Sequence, residues 1–207
     1  MPIIPPPMYL RNRVGKPGNY FIHDSYVHRT EYHDFDDTPF TDEFQLPVYQ
    51  YAKRVMELHH FKTVTDVGCG SGFKLVTQMG QYETLGLDMP KTVVWLMARY
   101  PAFKWRVCNW NNPVEGYDLV IAADIIEHLK EPDQLLHYIQ CCKPKRIILS
   151  TPERDNLCMN THDGPPHNIH HVREWNYIQF QNYIRHWFIV REHFVNADTQ
   201  ILECELV

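Results

Sequence analysis

The chain has 207 residues, enough for one domain with a sizeable core, and its 44% hydrophobic and 22% charged residues are typical of globular proteins. Its 20 Lys and Arg residues against 25 Asp and Glu residues give a formal net charge of −5, which argues against a protein that coats nucleic acid or an anionic membrane. The six cysteines form no Cys-x-x-Cys pair, the first residues lack a signal-peptide pattern, and no apolar run would span a bilayer. We therefore predict a cytoplasmic protein with reduced thiols and no membrane partner.

The first forty residues predict no packed element. Residues 1–18 contain five prolines and two glycines, which favours an extended arm. Residues 20–37 mix aromatic side chains, histidines and acids without a helical or strand period. Core packing explains Tyr26 and His28 less well in such a segment, so we interpret residues 1–40 as an arm that also forms a lid over an acceptor.

From residue 41 onward, helical patterns alternate with short apolar runs. The patterns predict helices over 41–58 (capped by Thr41 or Asp42), 73–79, 91–100, 132–140 and about 174–185. The apolar runs predict strands over 63–67, 84–88, 118–124 and 146–151, and residues 187–195 and 199–207 predict a closing antiparallel hairpin. Because the internal strands are almost continuously hydrophobic, we expect them to be buried on both faces, as in a parallel sheet. The sequence therefore predicts one doubly wound α/β domain over 41–207.

A glycine turn follows the first predicted strand in the stretch "DVGCGSGF", residues 66–73. Glycine at every second position permits backbone conformations and close approaches that a side chain prevents. Ligands of doubly wound sheets bind beyond the carboxyl ends of the strands, where this turn lies. Asp88 ends the second strand, where its carboxylate can accept hydrogen bonds from the two ribose hydroxyls of an adenosine. Dinucleotide sites favour the spacing Gly-x-Gly-x-x-Gly, whereas this turn has an acid followed by Gly-x-Gly-x-Gly.

This spacing resembles the first motif of class I S-adenosylmethionine (SAM) methyltransferases, and the resemblance extends over about residues 40–207. It implies SAM as cofactor and a seven-stranded, mostly parallel Rossmann-like sheet that ends in an antiparallel hairpin. "VCNWNN" (107–112) lies where that family contacts adenine, and "GYDLVIAADIIEHL" (116–129) resembles its fourth-strand motif. The implied cofactor-binding residues are Asp66, Gly68, Gly70, Gly72, Phe73, Asp88, Met89, Asn109, Trp110 and Ala123. The alternatives are a dehydrogenase or a non-catalytic nucleotide-binding domain.

Acids and histidines follow the fourth strand and recur in a later loop. A hydroxyl acceptor is a weak acid, so its methylation needs a general base or a metal. If a helix starts directly after the strand, Asp124, Glu127 and His128 share one of its faces. Pro165 and Pro166 break any helix in the loop that carries His167 and His171. Such a mixed imidazole and carboxylate set suits manganese, iron or zinc better than magnesium.

The stretch from Asp124 resembles the metal site of ubiquinone-pathway O-methyltransferases and of small-RNA 2′-O-methyltransferases. The resemblance implies four ligands: Asp124, Glu127, His128 and His171. Asp124 stands where those families usually have Glu, and its shorter reach weakens the match. Many class I methyltransferases carry the same Glu-His pair without a metal; in that case His171 or His167 is the general base, oriented by a neighbouring acid, with His128 and Asp124 also at the catalytic centre.

The phrases "LSTPERDNL" and "DGPPHNIHHVREW" resemble methyltransferases found among sugar-transfer and polysaccharide-modifying enzymes. The resemblance implies O-methylation of a sugar hydroxyl in a glycan or glycoconjugate, with a deoxyhexose such as rhamnose as the best candidate and no nucleic-acid partner. The arm-like start fits one domain of a larger glycan-building enzyme. We predict that aromatic and histidine side chains contact the sugar: Tyr20, Tyr26, His28, Tyr32, Trp175 and Tyr177. A catechol or quinone precursor is the alternative acceptor; RNA is disfavoured by the net charge.

Overall fold

The computed structural model describes residue 15 and residues 17–31, 35–36, 38–40, 44–157 and 163–207. The predicted caps Thr41 and Asp42, together with Tyr32, lie outside the described residues. The strands are β1 (Thr63–Val67), β2 (Glu83–Asp88), β3 (Lys104–Val107), β4 (Leu119–Ala123), β5 (Arg146–Pro152), β6 (Ile189–Asn196) and β7 (Thr199–Glu205). The α-helices are α1 (Leu46–Leu58), α2 (Phe73–Met79), α3 (Pro90–Arg99), α4 (Pro132–Cys142), α5 (Arg154–Leu157) and α6 (Tyr177–Arg185). No helix among the described residues is long and apolar enough to cross a membrane.

The strands of the described residues form one seven-stranded sheet in the order β3-β2-β1-β4-β5-β7-β6. β1 pairs in parallel with β2 and β4, and β4 pairs in parallel with β5, whereas β7 runs antiparallel to both β5 and β6. The predicted fold, a doubly wound and mostly parallel sheet with an antiparallel carboxyl-terminal hairpin, is therefore confirmed. The chain order changes direction between β1 and β4, the position where doubly wound sheets bind their ligands.

Each face of the sheet carries its own buried cluster. Successive residues of β4 alternate between the two clusters: Leu119 and Ile121 pack with α1, α2 and α3, whereas Val120 and Ala122 pack with α4 and α6. Burial of a side chain the size of Leu or Phe contributes roughly 1.5–3 kcal/mol, so the two clusters hold the helices against the sheet. The near-continuous apolar pattern of the strands is explained by this burial on both faces.

Part of the amino-terminal segment also packs into the core. Ile22 and Tyr26 are buried in the cluster that contains α4 and α6, and the Tyr20 ring contacts the Tyr183 ring edge-on at 5.8 Å. Residues 17–31 therefore fold back onto the sheet domain. The division of the chain at residue 40 stays a prediction.

Four elements differ from the sequence patterns: α1 begins at Leu46 and not at residue 41, α5 was not predicted, and β3 and α6 differ for local physical reasons. β3 was not located from the sequence because it has only four residues, two of them basic, and lies at the edge of the sheet. α6 begins at Tyr177, three residues later than predicted, because Asn176 caps it: the Asn176 side chain accepts a hydrogen bond from the Gln179 main-chain N–H at 3.0 Å. The residues just before Asn176 form a buried connection that is not helical.

Candidate active site

A cavity of about 900 Å³ opens at the carboxyl ends of the parallel strands, a volume that suits a cofactor or small molecule. We name its two sides by the residues that line them. The glycine-turn half is lined by Gly68, Gly70, Lys74, Asp88, Met89 and Trp110. The histidine-loop half is lined by Phe35, Phe40, Phe44, Asp124, Glu127, His128, His167, Asn168, His171 and Glu174, and Ala123 lies in the wall of the same cavity.

The glycine turn has the backbone geometry that glycine permits. Gly68, Gly70 and Gly72 have φ angles of +74°, +51° and +65°. A Cβ atom on Gly68 would lie 2.4 Å from the Ile125 Cδ1 atom, and one on Gly72 would lie 2.7 Å from the Leu96 side chain. Packing within the protein therefore requires glycine at positions 68 and 72, whether or not a ligand is bound.

Asp88 joins the end of β2 to the glycine turn. Its carboxylate accepts hydrogen bonds from the main-chain N–H of Gly70 at 2.8 Å and of Met89 at 2.7 Å. Burial raises the pKa of this carboxyl above its usual value. The acid is thus held rigidly where it lines the cavity, as a ribose-binding residue requires.

Four predicted cofactor residues lie outside the cavity lining. Asp66 is fully buried and accepts a hydrogen bond from the Tyr49 hydroxyl at 2.7 Å, which indicates a structural part. Gly72 and Phe73 begin α2, and the exposed Asn109 accepts a hydrogen bond from the Asn111 main chain at 3.0 Å. Their direct contact with a cofactor stays a prediction.

The turn after β4 places Glu127 inside the protein. Ile126–His128 form a 3-10 turn and Asp124 has a φ of +49°, so the α-helical face considered from the sequence is wrong here. Glu127 is fully buried; its Oε2 atom accepts a hydrogen bond from the Thr151 hydroxyl at 2.9 Å. Its Oε1 atom is buried without a hydrogen-bond partner among the described residues. Burial and the nearby charge of Asp124 raise the pKa of Glu127 well above its usual value.

Two histidines face this carboxylate with fixed ring orientations. Nδ1 of His128 donates to the main-chain carbonyl of His170 at 2.9 Å, which leaves the lone pair on Nε2. Burial and the neighbouring His171 lower the pKa of His128 to about 4, so its ring is neutral near pH 7. Nδ1 of His171 donates to Glu174 Oε1 at 2.6 Å, and Nε2 of His171 accepts from the Asn168 amide at 3.0 Å.

Glu127, His128 and His171 together fit a divalent metal. Each offers one ligand atom, and these atoms lie within 4.8 Å of one another. The buried carboxylate oxygen without a partner is the kind of group that a cation satisfies, and histidines whose other nitrogen donates to a carboxylate or carbonyl are typical metal ligands. Asp124 does not belong to this group; its carboxylate accepts a hydrogen bond from the Ser150 hydroxyl at 2.6 Å, and its place as a fourth ligand stays a prediction.

A protein family described as a methyltransferase domain matches residues 44–198 of the chain. The chain belongs to this family. With the glycine turn and Asp88 at the cavity, it is a SAM-dependent methyltransferase, which confirms the predicted cofactor. No curated protein matches the chain.

Solved methyltransferase structures share the fold of this methyltransferase. The methyltransferase domain of bacterial CtHen1-C is 21% identical with a TM-score of 0.61, over 78% of this chain and 98% of that one. Magnesium protoporphyrin IX methyltransferase from Synechocystis PCC 6803, with bound SAH, is 16% identical with a TM-score of 0.62, over 79% and 84% of the two chains. A SAM-dependent methyltransferase from Aquifex aeolicus is 16% identical with a TM-score of 0.62, over 84% and 100%. At these identities, the likeness supports the class I methyltransferase fold.

Three phenylalanines, which the sequence did not single out, line the cavity of the methyltransferase beside its histidines. Phe35, Phe40 and Phe44 are 40%, 37% and 59% exposed, and neighbouring rings contact one another at 5.8 and 5.9 Å. The Phe35 ring also stacks on the His128 ring at 5.9 Å. The only signal in the sequence was the recurrence of Phe within ten residues.

None of the described residues predicted to contact a sugar lines the cavity. Tyr26 is 5% exposed and its hydroxyl accepts a hydrogen bond from the Glu174 main chain, so the interpretation of its ring as an acceptor surface is wrong. Trp175 is fully buried, and Tyr177 stacks on His193 at 3.7 Å. These aromatics satisfy core packing and buried hydrogen bonds instead.

Several functional side chains of the methyltransferase are visible only in the tertiary structure. Lys74 is 7% exposed and is the one Lys or Arg among the described residues that line the cavity, where its charge acts on Asp124. Ser150 and Thr151 bond the acids of the β4 turn. The first two residues of the "STPERD" phrase therefore hold these acids in place by hydrogen bonds, a contribution that no spacing in the sequence indicates.

Proposed function

We propose that this SAM-dependent methyltransferase methylates a hydroxyl oxygen, with a divalent metal held by Glu127, His128 and His171. The observation that carries the proposal is the buried Glu127 oxygen without a described hydrogen-bond partner, which faces two oriented imidazoles at the cavity. A nitrogen acceptor needs little help to lose its proton, whereas a hydroxyl needs a metal or a base. A bound metal would lower the pKa of a hydroxyl that coordinates it.

The protein side chains contribute orientation and charge. Glu174 and the His170 carbonyl hold the two imidazole rings in fixed orientations. For His171 Nε2 to bind a metal or a proton, the Asn168 amide that donates to it must turn away. Asp88 and Lys74 provide an acid for the ribose hydroxyls of SAM and a cation for its carboxylate. If the methyltransferase works without a metal, the His171–Glu174 pair supplies the general base, since the carboxylate stabilises the protonated ring.

We propose a sugar hydroxyl as the acceptor, with a deoxyhexose of a glycan or glycoconjugate as the best candidate and no nucleic-acid partner. Vicinal hydroxyls of such a sugar can coordinate one metal ion, and its apolar ring face suits Phe35 and its neighbours. Asn168 and His167 add polar groups to the same half of the cavity. A cytoplasmic location, and a place as one domain of a larger glycan-building enzyme, stay proposals from the sequence.

A catechol or quinone precursor is the second candidate acceptor. The specific observation in its favour is the wall of Phe35, Phe40 and Phe44, because stacked phenyl rings suit a flat aromatic acceptor. Its two adjacent oxygens would coordinate the metal that the same three residues would hold. Both candidates would use the metal and the phenylalanine wall, and they differ in how strongly they depend on stacking against its rings.

One panel separates the candidates. We would measure methyl transfer from SAM to rhamnosides, catechols and RNA, with a chelator and after Mn²⁺ is added back. We expect activity on sugars that is lost with chelator and restored by Mn²⁺. Catechol activity alone would replace the sugar by the second candidate, and activity indifferent to chelator would leave the histidine base in place of the metal.

The same panel is measured with the His171→Ala variant. Its matched control is His137→Ala, which changes an exposed histidine of α4. If both variants retain wild-type activity and Mn²⁺ affinity, the proposed centre is wrong.

A further inference from the structure

We propose that the segment of residues 17–31 is a brace that holds the acceptor-side loop, residues 163–176, in its catalytic position, with Arg29 as its positioning residue. The segment lies before the part of the chain that matches the methyltransferase family, which begins at residue 44. The loop carries His171, so the inference rests on the proposed function of that histidine.

Main-chain hydrogen bonds join the brace to both ends of the histidine-bearing stretch. The Val27 N–H donates to the Asp163 carbonyl at 2.7 Å, and the Arg29 N–H donates to the Val172 carbonyl at 2.8 Å. A Cβ atom on Gly164 would lie 2.0 Å from the Val27 carbonyl oxygen, so the two segments are in direct backbone contact. The loop between residues 163 and 172 is therefore tied at each end to one extended segment.

The Arg29 side chain ties the middle of the loop. Its Nη2 atom donates to the Pro166 carbonyl, and its Nε atom donates to the His171 carbonyl at 3.3 Å. The residues between these two acceptors include His167 and Asn168, which line the cavity. Arg29 itself does not line the cavity, so it acts on the site through the main chain that it holds.

The brace also positions Glu174, the partner of His171. The Tyr26 hydroxyl accepts a hydrogen bond from the Glu174 N–H at 3.0 Å, and Arg154 donates to the Glu174 carbonyl at 3.2 Å. The Arg154 guanidinium lies 5.1 Å from the centre of the Tyr26 ring, so Tyr26, Arg154 and Glu174 each contact the other two. Glu174 orients the His171 ring. The contacts of the brace with Glu174 therefore also help to fix the position of that ring.

A third connection links the brace to the turn that carries His128. Arg173 donates from Nε to His28 Nδ1 at 3.2 Å, and from its two terminal nitrogens to the Leu129 and Lys130 carbonyls at 2.7 and 2.9 Å. Both histidines of the proposed metal centre are therefore held in a network that begins in residues 17–31. A displacement of about 1 Å in such a centre costs on the order of 100-fold in rate.

The test uses the full chain with Arg29→Ala and Arg29→Lys, and with Arg191→Ala as the control. Arg191 pairs with Glu205 at the opposite end of the sheet. We would measure hydrogen exchange in residues 163–176, SAM affinity by calorimetry, and kcat and KM with any acceptor that the panel identifies. Exchange and SAM affinity require neither an acceptor nor a metal, so they test the brace even if the proposed function fails.

For Arg29→Ala we expect exchange in residues 163–172 to rise roughly tenfold or more, kcat/KM to fall roughly 10- to 100-fold, and SAM affinity to stay within about twofold. For Arg29→Lys, which can reach one carbonyl but not both in a fork, we expect a smaller change in the same direction. Unchanged exchange in the loop would overturn the brace, and so would a rise spread evenly over the sheet with an equal loss of SAM affinity. If the alanine variant does not fold, the lysine variant decides by the same two criteria.

Discussion

The two halves of the cavity are built in different ways. The glycine-turn half comes from the segments that follow the three neighbouring strands β1, β2 and β3, and main-chain geometry fixes its key contact, the hydrogen bond from the Gly70 N–H to Asp88. The histidine-loop half gathers side chains from the segment around Phe35, the turn after β4 and the loop before α6. Its contacts join residues far apart in the chain, as in the bond between Thr151 and Glu127 and the bonds of Arg29. Main-chain geometry therefore fixes the half of the cavity that we assign to SAM, whereas side chains from distant segments form the half that we assign to the acceptor.

Loss of the imidazole at His171 is expected to have the largest effect. For His171→Ala we expect a fall in methyl transfer of roughly 1,000-fold, because one change removes a metal ligand or a general base, with SAM affinity within about twofold. Rates and SAM calorimetry measure the two quantities. A parallel loss of SAM affinity would contradict the separation of the halves.

Asp88→Ala tests the glycine-turn half. The acid bonds two main-chain N–H groups and lines the cavity, so we expect SAM affinity to fall roughly 10- to 100-fold, as for loss of a charged hydrogen-bond acceptor. Calorimetry with SAM measures this, with Glu115→Ala on the exposed surface as the control. If the Asp88→Ala variant bound SAM as tightly as the wild type, and the protein clearly bound NADH, the assignment of SAM as the cofactor would be wrong.

Phe35→Leu distinguishes the two candidate acceptors within the histidine-loop half. Leu keeps an apolar surface but loses the ring that stacks on His128. We expect KM to rise severalfold for a flat aromatic acceptor and about twofold or less for a sugar, since ring stacking contributes roughly 0.5–1.5 kcal/mol. An equal rise for both acceptors would show that this wall does not select between them.

Acid pH is expected to loosen the brace slightly. Burial and the Arg173 charge lower the pKa of His28 to about 4, and Asn19 and the Tyr20 and Tyr26 rings also face it. The unfolded histidine binds a proton below about pH 6.5, so His28 contributes stability above that pH that is lost as the pH falls toward 4. Since the side chain is half-buried, we expect a loss well below about 1 kcal/mol.

Hydrogen exchange at pH 5 and 7.5 measures this effect. We expect residues 163–176 to gain more exchange at pH 5 than residues 66–73 do. The Asp88 carboxyl has a raised pKa, which adds a small opposite contribution in the glycine-turn half as the pH falls. A His28→Gln variant with the same pH response as the wild type would contradict this account.

The predictions from sequence succeeded where local pattern governs structure. The strand and helix alternation, the turn after β1 and Asp88 at the end of β2 each depend on neighbouring residues, and each is observed. Glu127, His128 and His171 also lie close together, as the resemblance implied, and metal binding by them stays a prediction. The helical geometry assumed for the first two was wrong, because Asp124 adopts a positive φ and only a 3-10 turn follows.

The amino-acid sequence by itself determined the sheet, its burial on both faces and the turn for the methyl donor, because hydrophobic period and glycine placement act over a few residues. Only the tertiary structure decided that Tyr26 is a core residue, that Phe35 lines the cavity and that Arg29 holds the histidine loop. Those outcomes depend on which distant segments share the same space. A buried hydrogen bond needs both partners, and the sequence names each partner without saying where the other lies.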